Sequence, residues 1–91
     1  MGATGSAILD FGTLSKPAAS IDVTGQASIV AGSKVEAFVR LVATADHSID
    51  EHRIEQLRVI AGNIVVGAGF TIYGEAYPQT SGQWNVDWVW V

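Results

Sequence analysis

Gln83-Trp84-Asn85-Val86-Asp87-Trp88-Val89-Trp90-Val91 holds all three tryptophans of the chain and contains neither glycine nor proline. In an extended backbone alternate side chains share a face, so Trp84, Val86, Trp88 and Trp90 lie together while Asn85, Asp87, Val89 and Val91 point the other way. One face is almost wholly aromatic. The other begins polar and ends in two valines, the pattern of a strand that enters from solvent and finishes where both faces are covered, by the domain's own core or by another subunit.

The remaining sequence fits one domain built from such strands. Ninety-one residues bury only about 60–65% of the surface the unfolded chain exposes, so a lone copy gains modest stability and self-association would add to it. A composition that is 48% hydrophobic and 15% charged excludes disorder and leaves few charges to keep apolar surface soluble. The net charge of -4 gives no electrostatic footprint for phosphate backbones or anionic lipid, so neither nucleic acid nor a membrane is an expected partner. Without cysteine there are no disulfides, thiolate metal sites or thiol nucleophiles, and the redox compartment stays open. The start, Met1 to Asp10, lacks the basic residues of a secretory signal. The uncharged stretch Val59 to Tyr73 is too short for a membrane span and is interrupted by Asn63, Thr71 and three glycines, which reads as sheet interior.

Along the chain, Gly2 to Gly5 is small and flexible, and Ala7, Leu9 and Phe11 then share a strand face until Gly12. Thr13 to Ala19 reads as a connection, because Pro17 lacks a ladder donor and biases Lys16 away from helix. Ser20 to Thr24 and Ala27 to Val30 read as short strands, the second ending in an Ala31-Gly32-Ser33 turn. Lys34 to Ala43 is the clearest alternation, with Val35, Ala37, Val39, Leu41 and Ala43 inward and Lys34, Glu36, Phe38, Arg40 and Val42 outward. Phe38 is an aromatic ring among charged neighbours, open to cover by a loop or a partner. Arg53 or Ile54 to Ala61 is a further strand, and Ala61-Gly62-Asn63 repeats the composition of the earlier turn. Gly67-Ala68-Gly69 marks a bulge or bend before the alternation Phe70 to Tyr77, and Pro78 to Gly82 is the last loop. About seven to eight short strands separated by Gly, Pro and Asn predict an all-β fold over residues 1–91, an antiparallel sandwich or jelly-roll-like barrel.

Ionisable groups concentrate between Thr44 and Arg53. Ser48 followed three residues later by Glu51 fits a capping box, so one helical turn is expected there. His47, Asp50 and His52, with Asp46 or Glu51 assisting, are the residue types of a zinc or manganese site. Their spacing matches neither a helical i, i+4 pair nor an i, i+2 pair on a strand, and the order of oxygen ligands and the central Gly of a calcium loop are missing. A solvated loop whose carboxylates meet Arg53, Arg58 or backbone amides is the reading we carry forward, with no metal and no cofactor. No serine stands in the strand-turn-helix context of an activated nucleophile, and no carboxylate pair is marked for acid-base work, so no catalytic residue is assigned. Trp84, Trp88, Trp90, Tyr73 and Tyr77 could form the platform of a carbohydrate-binding β-sandwich, the alternative reading.

In whole segments, Gly5-Ser6-Ala7-Ile8-Leu9-Asp10-Phe11-Gly12, Ala45-Asp46-His47-Ser48 through Glu51-His52, and Gly69-Phe70-Thr71-Ile72-Tyr73-Gly74 with Gln83-Trp84 to the end, the chain resembles small β-rich virion proteins of tailed bacteriophages and prophages. The resemblance implies a non-enzymatic part of a phage particle, such as a head-decoration, tail or fibre protein, located in the virion. It would work as a symmetric homo-oligomer, a trimer foremost, in contact with other virion proteins. The expected subunit interface consists of Trp84, Trp88, Trp90, Val91 and Phe38.

Overall fold

The computed structural model describes every residue except Met1, Leu41, Ala45, Glu55 and Gln56, and describes the backbone but not the side chains of Glu51, Arg53, Ile54, Tyr77 and Pro78. Among the described residues the chain forms six strands and one short helix: β1 (Ala3–Asp10), β2 (Lys16–Val23), β3 (Val35–Val39), α1 (Ile49–Ile54), β4 (Leu57–Val65), β5 (Gly69–Thr80) and β6 (Gln83–Trp90). The strands make two three-stranded antiparallel sheets, ordered β1-β6-β3 and β2-β5-β4. The tryptophan strand β6 is central to one sheet and β5 to the other, so the two strands richest in inward aromatic and aliphatic side chains lie in the middle of the two layers. β3 runs beside β4 and β1 beside β2 without a ladder between them. The fold is the all-β sandwich that the strand pattern predicts.

The core lies between the sheets. β6 contributes Trp84, Val86, Trp88 and Trp90, β1 contributes Leu9, β3 contributes Ala37, β5 contributes Phe70 and Ile72, and β2 contributes Val23. Phe70 and Trp88 meet edge to face at 5.5 Å between ring centres, a preferred aromatic geometry. Two glycines make room for large neighbours. Gly5 stands opposite Trp88 in the β1–β6 register, where any Cβ would collide with the indole, and a Cβ on Gly74 would lie 2.6 Å from Leu9 Cδ1. The small residues from Gly2 to Gly5, expected to be flexible, are thus mostly strand, because β1 runs closely past β6.

Several local expectations are corrected. Ala27 to Val30 is not a strand: residues 27–28 form a turn, and Ile29, fully buried, enters the core from this loop. β2 starts at Lys16, earlier than expected, since an edge strand tolerates Pro17 and the ladder breaks between Lys16 and Ala18. Ala61-Gly62-Asn63 does not reverse the chain. Asn63 takes φ 53° inside β4, where the register shifts between Gly62 and Val65, so a residue type shared by turns and bulges makes an irregular strand. The reversal comes at residues 66–68, closed by Ala68 N–H donating to Val65 O at 3.0 Å with Gly67 at φ 74°. Residues 78–80 extend β5, and only Ser81 and Gly82 separate it from β6.

The helical turn expected after Ser48 is present. His52 N–H donates to Ser48 O at 3.2 Å, so Ser48 begins the turn as the sequence predicts. The Glu51 half of the capping box lies outside the described side chains. β3 ends at Val39 rather than continuing to Ala43, and Leu41 lies outside the described residues.

Candidate functional site

The early end of β3 exposes a problem that the ionisable run solves. Beyond the Val39–Val86 pair, β6 continues to Gln83, and its backbone groups on that side lose their strand partner. Buried or half-buried amides left unpaired are costly, so partners must come from elsewhere. Arg40 N–H donates to Asn85 O at 2.9 Å, and the next groups are met by side chains. Asn85 N–H donates to His52 Nε2 at 3.1 Å, Gln83 N–H donates to Asp46 Oδ2 at 2.8 Å, and Thr44 Oγ1–H donates to Gln83 O at 2.8 Å. Arg40, Thr44, Asp46 and His52 therefore stand in for the missing length of strand. The Asn85 side chain returns the contact by donating to Val42 O at 2.6 Å.

This arrangement fixes the two histidines. His52 is buried, donates from Nδ1 to Ser48 O at 2.8 Å and accepts at Nε2, which sets its tautomer. His47 donates from Nε2 to Ser81 O at 2.6 Å and stacks flat on Trp84, with 3.7 Å between ring centres and 14° between planes. His52 meets the same indole edge-on at 4.8 Å. Trp84 is thereby closed in on the open end of the sandwich by two imidazoles. Its Nε1–H is the one buried polar side-chain atom among the described residues without a partner, a local cost that the stacked and packed ring outweighs.

Three of the candidate metal residues, Asp46, His47 and His52, carry structural duties. Asp46 Oδ2 and both nitrogens of His52 are engaged with backbone groups, and His47 holds Ser81 O through Nε2. Among the described residues no group of three or more His, Asp or Glu is placed to share a metal ion. The Glu51 and Arg53 side chains lie outside the description.

The expected interface residues divide. Trp84, Trp88 and Trp90 are 1%, 8% and 4% exposed and belong to the chain's own core, which corrects their assignment to a subunit interface: the opposing sheet already covers the aromatic face of β6. Trp90 also donates its Nε1–H to Gln26 Oε1 at 2.9 Å, so its polar edge is tied within the chain. Phe38 and Val91 lie outside, 50% and 68% exposed, and remain available to a partner. The burial of the indoles also removes them as a sugar platform. Of the two tyrosines in that reading, Tyr73 is partly exposed between shallow hollows lined by Asp10, Lys16 and Ser20 on one side and by Arg58, Ile60 and Glu75 on the other. The Tyr77 side chain lies outside the description.

Sequence reasoning passed over Leu14, Val30, Val65 and Val66, all exposed. The available signal was charge: residues 24–33 and 59–74 contain no Asp, Glu, Lys or Arg. Searched against family models, curated proteins and solved structures, the chain matches none.

Proposed function

We propose that the chain is a non-enzymatic structural component of a bacteriophage particle, a head-decoration, tail or fibre protein that acts through contacts with copies of itself and with other virion proteins. One observation supports this reading above the others. With all three tryptophans already inside, the surface still carries large apolar side chains, among them Leu14 at 84% exposure together with Phe38, Val66 and Val91. A small domain with little charge gains stability and solubility by covering such surface in a symmetric assembly. Thr44, Asp46 and His52 are occupied in closing the sheet edge, which favours a structural role over catalysis for these residues.

Native mass spectrometry of the purified chain, with negative-stain imaging, tests the proposal. A discrete closed oligomer, a trimer foremost, is the expected result. A monomer persisting to hundreds of micromolar would overturn it.

A further inference from the structure

The outward face of the β2-β5-β4 sheet falls into three rungs set by the strand register: Asp22–Thr71–Gly62, Ser20–Tyr73–Ile60 and Ala18–Glu75–Arg58. Tyr73 stands at the centre of the middle rung, 41% exposed, on the strand that pairs with both neighbours. Ala18, Ser20 and Gly62 beside it are small, and a Cβ on Gly62 would meet nothing within 4 Å, so the sheet is open around the ring. The ring stands between two shallow hollows, one lined by Asp10, Lys16 and Ser20 and the other by Arg58, Ile60 and Glu75. The two outer rungs are polar and tied in place. Asn63 Nδ2–H donates to Thr71 Oγ1 at 3.2 Å and Thr71 Oγ1–H donates to Asp22 Oδ1 at 2.8 Å, while Arg58 donates to Glu75 Oε1 at 3.1 Å. Each carboxylate is thus held through one oxygen, and its second oxygen can accept from a ligand. Same-face residues of a strand repeat every ~7 Å, so Thr71 and Glu75 bracket Tyr73 over ~13 Å.

We infer that this face is a binding site for a neutral oligosaccharide, with Tyr73 stacked on a sugar ring and the Asp22–Thr71 and Arg58–Glu75 pairs exchanging hydrogen bonds with its hydroxyls. The chemistry of the face selects the ligand. A sugar ring has an apolar C–H side and a rim of hydroxyls that both donate and accept, and here an amphipathic aromatic ring lies between positioned carboxylate acceptors and a guanidinium donor. The spacing of the rungs along β5 suits a short run of such rings. Asp10, Asp22 and Glu75 stand against Lys16 and Arg58 around the hollows, an acidic balance that disfavours phosphate backbones and acidic glycans. A protein partner would find only Tyr73 and Ile60 as large apolar contacts and would have to desolvate the exposed Arg58–Glu75 pair. Because the hollows are shallow, the affinity of one copy is expected to be about 0.1–1 mM, and repetition in an oligomer would raise it by avidity. The inference does not depend on the assembly proposed above, since one copy carries the whole face.

A printed array of neutral and acidic glycans, probed with the full chain, tests this, followed by amide-shift titration of the isotope-labelled chain with the neutral glycans that bind. Tyr73→Ala should weaken binding roughly tenfold or more, and Tyr73→Phe, which keeps the ring, should retain most of it. Asp22→Ala should weaken it by a smaller factor. Phe38→Ala removes an exposed ring from the outward face of the other sheet and should leave binding unchanged. Unaltered tryptophan emission in each variant shows that the fold is intact. Binding of no neutral glycan, binding confined to acidic glycans, or binding that survives Tyr73→Ala would each overturn the inference and leave the proposal of assembly standing. Dissociation of an oligomer by Tyr73→Ala would also overturn it, because the face would then be a contact between subunits. A chain that stays monomeric and binds a neutral glycan through Tyr73 would uphold the inference while the assembly proposal falls.

Discussion

The two ends of the sandwich are closed by opposite means. At one end His47 and His52 cover Trp84 with two imidazoles, and Thr44, Asp46 and His52 satisfy the unpaired side of β6. At the other, Ile29 fills the core from a loop without charge, and valines are left facing outward. The first end is finished within the chain, by polar groups whose hydrogen bonds point to definite backbone atoms. The second is finished only in its interior, and its outer layer keeps exposed valines.

The comparison can be broken most severely at the closed end. Trp84→Ala removes the largest fully buried side chain and leaves His47 and His52 without the ring they enclose, so chemical denaturation should show a loss of about 3–5 kcal/mol. A loss under about 1 kcal/mol would mean that the loop does not depend on the indole. His52→Leu keeps the volume but strands the Asn85 N–H, and about 2 kcal/mol should be lost by the same measurement. Retention of full stability would show that water readily replaces the imidazole. At the bare end Val66→Ser should change monomer stability by no more than about 0.5 kcal/mol, since an exposed turn residue contributes little to the fold. A large loss there would show that the valine is core rather than exposed surface.

Much of the closed core was legible in the sequence. Period-two alternation placed Trp84, Val86, Trp88 and Trp90 on one face, and all four are buried. It could not say what covers that face, and a second sheet of the same chain does so where a neighbouring subunit was expected. Ser48 and Glu51 marked the helical turn correctly because capping is local. The contacts that tie His47 and His52 to the sheet are not local: Ser81 O and Asn85 N–H come from the β5–β6 connection and from β6, over thirty residues away in sequence. No spacing rule within the run could reveal that these rings complete a sheet edge. Ala61-Gly62-Asn63 misled for a different reason, since left-handed backbone at Asn serves a bulge as readily as a turn and composition does not separate them. The exposed valines were visible only as missing charge, which in the stretch Val59 to Tyr73 reads equally well as sheet interior.

The account turns on the tryptophans belonging to the single chain and the assembly contact lying elsewhere. Acrylamide quenching of tryptophan emission, followed from dilute monomer to associated protein, measures both at once. Quenching should be weak at every concentration and unchanged as the mass rises. Indoles that are freely quenched in the dilute chain and become protected only on association would contradict it, because the aromatic face of β6 would then be the contact between copies.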